Sequence, residues 1–457
     1  MSEERQGVQE EGEAEMIDAL VTEAGDAHYL RQVTDMGDRC RVEAREPIQA
    51  ANGMRLVDAG ARVDSTLYDK LVRHKLLRPI DASLAAEGGV TVSSLIGDAR
   101  RLVESESCLE RLLEGSGFSG RSLRVLAGVT LHPALAFKLT VCREQARIKY
   151  DHLLRVALVS SVLGSRLRMG DNELIDLVAA GLFHDLGELH VDPRYFEHGR
   201  PLSGDERRQI YAHPVIGYLM LREFPLYHPV VSRAVLHHHE RFDGSGYPQG
   251  LVGERISRAG RILGVSELLV VMMQRGGEAT DPEQVRATLL LNADRYGRDL
   301  VTPMVEVITR QGCGRREGGE EERPAVDPAA LRDRMEGLAV LLLELPEAMG
   351  GEEAEGFVAE QCRRLAFVAA DSGLSPVTGR EYLEALEEDP EALQEMDLHT
   401  RELLYQLTGV AHEARRRWGA EIREGVLSRW LEQVDTLNER IDPAQSPPTD
   451  GSVSAEQ

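Results

Sequence analysis

The chain has 457 residues, 42% hydrophobic and 28% charged, with a formal net charge of −24. That length suits about two or three domains with a sizeable core, and the charge argues against a nucleic-acid polymer as partner. No apolar run approaches the ~20 residues that span a bilayer, and the scattered Cys40, Cys108, Cys142, Cys313 and Cys362 form no CxxC pair, which argues against a disulfide framework or a thiolate zinc site.

The stretch 1–45 is acidic and weakly patterned, and is expected to be largely flexible. Its polar start, Ser2 to Glu15, is unlike a secretory signal, so a cytoplasmic protein is expected. Residues 46–140 read as a small N-terminal α+β module with a helical connector. Two short strands near Gly53 and Gly60 precede a helix over Leu67–Leu77, and helical sequence from 91 is interrupted at Gly115–Gly120. A central all-α domain is expected over 141–311. Asp151 is placed to cap a helix with an apolar face of Leu153, Leu154, Val156, Ala157, Val159, Val162 and Leu163, ending near Gly170. Further helices follow over 172–186, after a Ser203/Glu206 capping box, from Pro214, over Pro229–Glu240 and over 255–273. Residues 312–328 read as a linker, 329–443 as a helical bundle with acidic faces, and 444–457 as a disordered tail. The fold class expected is therefore mainly α.

Nine of the 14 histidines fall between His152 and His239. A lone histidine on a helix is more often packing than ligand, so the weight lies on the ordered set. His152 comes first, then the adjacent His184–Asp185 closing the apolar run Leu174–Phe183, then His213-Pro214. Last, His238, His239, Glu240 and Asp243–Pro248 read HHE-x-x-DGSGYP. A bare His and Asp at the end of an apolar helix are costly unless paired. Imidazoles gathered with carboxylates suit an open metal site, and such sites do hydrolysis.

In this order the residues resemble the HD-GYP family of bacterial phosphodiesterases over about 150–270, roughly a quarter of the chain. The resemblance implies an all-α domain and two divalent metal ions, with Fe or Mn suiting the donor set. It implies His152, His184, Asp185, His213, His238, His239 and Glu267 as ligands, with Asp185 as the bridge between metals. The loop residues Asp243, Gly244, Gly246, Tyr247 and Pro248 would border the substrate, and Gly244 and Gly246 would supply positive φ. Arg241, Arg258 and Arg261 are candidate phosphate or guanine contacts, while His190, His198, His228 and His237 read as residues that stand behind the ligands or lie on the surface. The activity implied is hydrolysis of cyclic di-GMP to pGpG or GMP by a metal-bridging hydroxide.

The chain departs from the family pattern at three places. Glu188 stands where the motif has a lysine, which removes a cation near the scissile phosphate; it joins Asp185 as a candidate catalytic residue. Glu267 replaces an aspartate, and Val270 a second one. Ile148 stands where some members place a glutamate for a third metal, so two ions are expected. These departures motivate an alternative: a catalytically degenerate member acting as nucleotide receptor or protein-interaction scaffold. A phosphohydrolase for another nucleotide is a third reading. The loop and the C-terminal bundle are candidate surfaces for other signalling proteins, and the bundle could also hold a homodimer together.

Overall fold

The computed structural model describes residues 27–115, 119–196, 202–276, 282–311, 326–347, 349, 353–371, 389–419, 422 and 425–439. These residues are mainly helical, as expected, with four short strands. No helix among them is long and apolar enough to cross a membrane. The chain divides into two compact units. One holds residues up to Arg241 with Tyr247–Gln274, and the other holds Phe242–Gly246 with Arg275–Gly451.

The first unit begins with α1 (Ala27–Arg39), which buries Tyr29, Leu30, Val33 and Met36 at three- to four-residue spacing. This helix lies inside the stretch read as flexible; charged neighbours diluted its apolar stripe. Residues 1–26 lie outside the described residues. Four strands replace the two expected. β1 (Val42–Ala44) pairs antiparallel with β4 (Leu84–Ala86), and β2 (Ile48–Gln49) with β3 (Arg55–Val57). The helix expected over Leu67–Leu77 is only the short α2 (Tyr68–Val72). Then follow α3 (Val92–Ser105), α4 (Ser107–Gly115), α5 (Ser119–Ala127) and α6 (Pro133–Gln145). Residues 116–118, inside the interruption expected at Gly115–Gly120, lie outside the described residues.

The long α7 (Arg147–Arg166) is buried nearly all round, not on one face, which suits a helix at the centre of a domain. Asp151 does not cap it. It sits inside the first turns and accepts from Arg101 (2.9 Å) and Arg147 (3.1 Å). Nor does Gly170 end it. Arg168 takes the left-handed conformation (φ 60°), while Gly170, at φ −68°, opens α8 (Asp171–Phe183) and donates its N–H to Glu173 Oε2. α7 and α8 touch at Gly181, where a Cβ would lie 2.8 Å from the Ala157 Cα.

Beyond α8 the chain makes a tight 3₁₀ turn, Leu186–His190. The helix α1 braces this turn. Gln32 Nε2 donates to Leu189 O (2.9 Å), and the Tyr29 ring stacks on His190 (4.8 Å). The Lys138 ammonium, paired with Asp81 (3.4 Å), also meets His190 Nε2 (3.2 Å). Next come α9 (Gly204–Tyr211), with the expected Ser203/Glu206 capping box, and α10 (His213–Arg222), which restarts at His213-Pro214. α11 (Pro229–His237) is N-capped by His228, and α12 (Arg258–Gly276) follows the glycine-rich loop.

The second unit contains α13 (Pro282–Leu291), α14 (Ala293–Tyr296), α15 (Arg298–Gln311) and α16 (Pro328–Ala339). A π-helical turn, Val340–Glu344, joins α16 to α17 (Leu345–Glu347); α18 (Glu353–Asp371), α19 (Pro390–Trp418) and α20 (Val426–Glu439) complete it. Its core includes Leu331, Leu338, Val358, Leu404, Leu407, Trp430 and Val434, and the Trp430 indole donates to Leu341 O (2.9 Å). The second unit takes in Arg275 onward, within the 141–311 span expected as one domain. Asn292, between α13 and α14, donates to the buried Glu402 of α19, and this ties the preceding helices to the bundle. Residues 312–325 of the expected linker and the tail 444–457 lie outside the described residues.

Gly187 allows the 3₁₀ turn to lie against the start of α10: a Cβ there would sit 2.1 Å from His213 O. Because both contacting groups are backbone, no rotamer change relieves the clash. Gly187→Ala is expected to destabilise the first unit by about 1–3 kcal/mol, the usual overpacking cost. Chemical denaturation would measure this, and an unchanged midpoint would refute the packing argument.

Candidate metal centre

Five buried imidazoles and two buried carboxylates converge in the first unit. α7 brings His152, and the end of α8 brings His184 and Asp185. α10 opens with His213, α11 leads into His238 and His239, and α12 supplies Glu267. Their ligand atoms form two overlapping groups, each spanning no more than 4.8 Å. One is Asp185 with His213, His238 and His239; the other is Asp185 with His152, His184 and Glu267. The structure thus brings together all seven residues that the sequence singled out as ligands.

Asp185 is common to both groups, and its two oxygens face different partners. Oδ1 lies 3.3 Å from His213 Nε2 and 3.4 Å from His238 Nε2. Oδ2 lies 3.1 Å from His184 Nε2 and 3.9 Å from His152 Nε2. This is the disposition of a carboxylate that could bridge two ions.

The ring orientations follow from the backbone. His184 Nδ1 lies 2.8 Å from Gly181 O, His213 Nδ1 2.7 Å from Ile210 O, and His238 Nδ1 2.6 Å from Val235 O. A carbonyl only accepts, so each Nδ1 carries the hydrogen, and each neutral ring then presents Nε2 as a bare lone pair. The α7 ring is held similarly, with His152 Nδ1 2.9 Å from Gln274 Oε1. Two of these lone pairs, His213 Nε2 and His238 Nε2, face each other at 3.2 Å. His152 Nε2, His184 Nε2, Asp185 Oδ1 and both His239 nitrogens are buried without a hydrogen bond. Acceptors crowded together in this way repel one another unless a cation lies among them, so the donor set fits divalent metal.

The charges agree. Burial alone would raise the Asp185 carboxyl, but the charge on His184, with the His213 and His238 rings close by, holds it well below the usual carboxylate range. Burial lowers His152 and His238 to about 4, and His239 well below its ordinary value. His184 is opposite: Asp185 and Glu267 outweigh burial and push it up to about 9. Without metal, a proton on His184 therefore supplies the positive charge that the carboxylates require.

Other sequence-derived candidates are placed differently. The enclosed Glu188 carboxylate belongs to neither ligand group; it pairs with Lys149 of α7. Burial pushes Lys149 down, but Glu188 outweighs it and leaves the ammonium raised. Val270 is fully buried apolar packing. Arg241 donates to the carbonyls of His238 and Glu240 (both 3.2 Å), Arg261 pairs with Glu254 (3.2 Å), and Arg258 is exposed. The buried Tyr247 ring is stacked between His239 (4.7 Å) and Tyr211 (4.2 Å), so it walls the histidine cluster and leaves no open face for a base. The Tyr247–Pro248 peptide is cis, and Pro248 is buried.

The remaining loop residues belong to the second unit. There the Asp243 carboxylate accepts from the Ser245 N–H and hydroxyl, its carbonyl accepts from Arg364 (3.0 Å), and Gly244 O accepts from Arg417 (3.0 Å). Gly244 has positive φ (84°), whereas Gly246, expected to share it, does not.

Glu240, read from sequence only as part of the HHE string, closes the loop by accepting from Gln249 N (2.6 Å) and Leu251 N (2.8 Å). His190 and His228 pack as described above, and His237 accepts from Ser257 N (3.0 Å). His198 lies outside the described residues.

Comparison with known proteins agrees with this geometry. Residues 130–300 match the HD domain family. The cyclic di-GMP phosphodiesterase PA4108 of Pseudomonas aeruginosa is 28% identical over 211 residues, 46% of this chain and 47% of that protein. The cyclic di-GMP phosphodiesterase response regulator RpfG of Xanthomonas campestris pv. campestris is 32% identical over 122 residues, 26% of this chain and 32% of that protein. The 3′3′-cGAMP-specific phosphodiesterase 3 of Vibrio cholerae is 31% identical over 117 residues, 26% of this chain and 25% of that protein. The chain spans less than half the length of each of these relatives. The match over residues 130–300, with the HHE and DGSGYP sequences, supports the resemblance to the HD-GYP family.

Two outcomes follow. At pH 7 His184 is protonated before metal enters, and ligation requires it neutral. Manganese affinity is therefore expected to rise between pH 7 and about 9, roughly tenfold per pH unit for each proton displaced. Calorimetry in buffers of different ionisation enthalpy should show proton release; none would refute the His184 assignment. Secondly, Gln274→Ala leaves the His152 ring unanchored and should weaken metal affinity about 10–100-fold, as read by competition with a chelating dye.

Proposed function

We propose that this chain is a metal-dependent phosphodiesterase that hydrolyses a 3′–5′ phosphodiester of cyclic di-GMP, giving pGpG or GMP. The observation that carries the reading is Asp185, whose two oxygens face two sets of imidazoles with their Nε2 atoms turned inward. Bound divalent ions, with Fe or Mn suited to these donors, would supply an ionised water nucleophile and neutralise charge on the phosphate.

The protein's own part is to hold that chemistry in place. His152, His184, His213, His238, His239, Glu267 and the shared Asp185 would be the ligands. The carbonyls of Gly181, Ile210 and Val235 fix three of the tautomers. Tyr247 and Tyr211 exclude water from the His239 side of the cluster. The cyclic dinucleotide is inferred from the names of the relatives, which include both cyclic di-GMP and 3′3′-cGAMP phosphodiesterases.

The test is product analysis by HPLC. The chain is loaded with Mn²⁺ aerobically or Fe²⁺ anaerobically and incubated with cyclic di-GMP, and separately with 3′3′-cGAMP. A His184→Ala/Asp185→Ala variant runs in parallel. The expected result is pGpG or GMP from the wild type, with the variant and a chelator-treated sample at background. Metal-loaded protein that yields no product from either dinucleotide would replace this reading by the receptor or scaffold one.

A further inference from the structure

Lys149 stands one helical turn before His152 on α7, so the two side chains leave neighbouring positions on one face. Its ammonium pairs with Glu188 and lies over the Phe196 ring, 4.1 Å from the centroid. Glu188 in turn follows Asp185 by one 3₁₀ turn, with Glu188 N donating to Asp185 O at 3.0 Å. The Glu188 side chain is 0% exposed, whereas the Lys149 side chain keeps 18% accessible. The pair therefore joins an enclosed carboxylate, one turn from Asp185, to a lysine whose side chain is partly accessible.

Three other cations of this unit are already committed. Arg155 grips both oxygens of Glu106, Arg241 serves the carbonyls of His238 and Glu240, and Arg261 pairs with Glu254. Enclosing a carboxylate at 188 close to Asp185 is unfavourable unless the charge does something that an apolar residue could not. Holding an ammonium is such a task. A lysine has three donor hydrogens; one directed at Glu188 leaves others for an incoming anion. Fixing the flexible stem in the folded state also removes an ordering cost that binding would otherwise bear.

We infer that Lys149 is the phosphate-contacting cation of this site and that Glu188 is the residue that positions it. The inference rests on the phosphodiesterase reading for its substrate. On this view, the charge missing at position 188 enters from the adjoining helix. It serves the non-bridging phosphate oxygens, where a fixed donor stabilises developing charge.

The test uses the full chain loaded with manganese. Lys149→Met/Glu188→Gln removes both charges at similar volume and leaves no enclosed charge unpaired, so it should fold where Lys149→Met alone could fail. Inorganic phosphate is titrated by calorimetry, manganese content is measured by mass spectrometry, and cyclic di-GMP turnover is followed in parallel. The expected result is wild-type metal content and phosphate affinity weaker by about tenfold. The kcat should be lower by about 10²-fold, the scale of losing one fixed donor to a developing oxyanion. Unchanged phosphate affinity in the neutral variant, or loss of its manganese, would overturn the inference. Should the wild type turn over no cyclic dinucleotide, the phosphodiesterase reading fails by itself. The phosphate titration then still decides the role of Lys149.

Discussion

The structure depends on a hydrogen bond repeated at three places: a histidine Nδ1–H donating to the backbone carbonyl three residues earlier. His184, His213 and His238 each do this, on Gly181, Ile210 and Val235. A helix end has carbonyls without intrahelical partners, and a histidine placed there satisfies one while fixing its own ring. His184 and His238 exploit this at the ends of α8 and α11, and His213 at the end of α9 where α10 restarts. Helix length thus sets ring position, and the tautomer sets which nitrogen faces the cluster. The enclosed Asp185 is tolerable only because a positive charge lies beside it, the proton on His184 or a metal in its place.

The close packing of the helices serves the same arrangement. Gly181 brings α7 against α8, and so His152 toward His184; Gly187 brings the 3₁₀ turn against His213. From the other side, Gln32, Tyr29 and Lys138 brace that turn through Leu189 and His190. The small N-terminal module is thus built into the support of the site, although none of its residues belongs to either ligand group.

What could be read from the sequence had a local signature. The ligand histidines stand in short strings, His184–Asp185, His213-Pro214 and His238–His239, and the Ser203/Glu206 box announces its helix directly. Residues whose role depends on a distant partner left no such trace. Gln274 meets His152 from 122 positions away, and Gln32 meets Leu189 from 157. Asp151 and Gly170 misled because each suits the end of a helix, while tertiary pairing with Arg101 and the adaptability of Arg168 decided otherwise. The amphipathic spacing of α1 was present but hidden in an acidic stretch.

Charge shows most clearly how composition and structure interact. The chain carries 53 basic residues, of which only Lys70, Lys75, Lys138 and Lys149 are lysines. Two of those four pair with enclosed carboxylates, Lys138 with Asp81 and Lys149 with Glu188, and each also lies over an aromatic ring. An ammonium is a compact point charge on a slender stem, whereas a guanidinium is a broad plane with five donors to satisfy. In a narrow space between one carboxylate and one ring, arginine would leave donors unsatisfied or displace the ring. A strong drift toward arginine would thus meet its limit where the packing admits only a point charge. Both positions adjoin the turn that carries Glu188 and His190, so sterics and electrostatics favour lysine at the same two places.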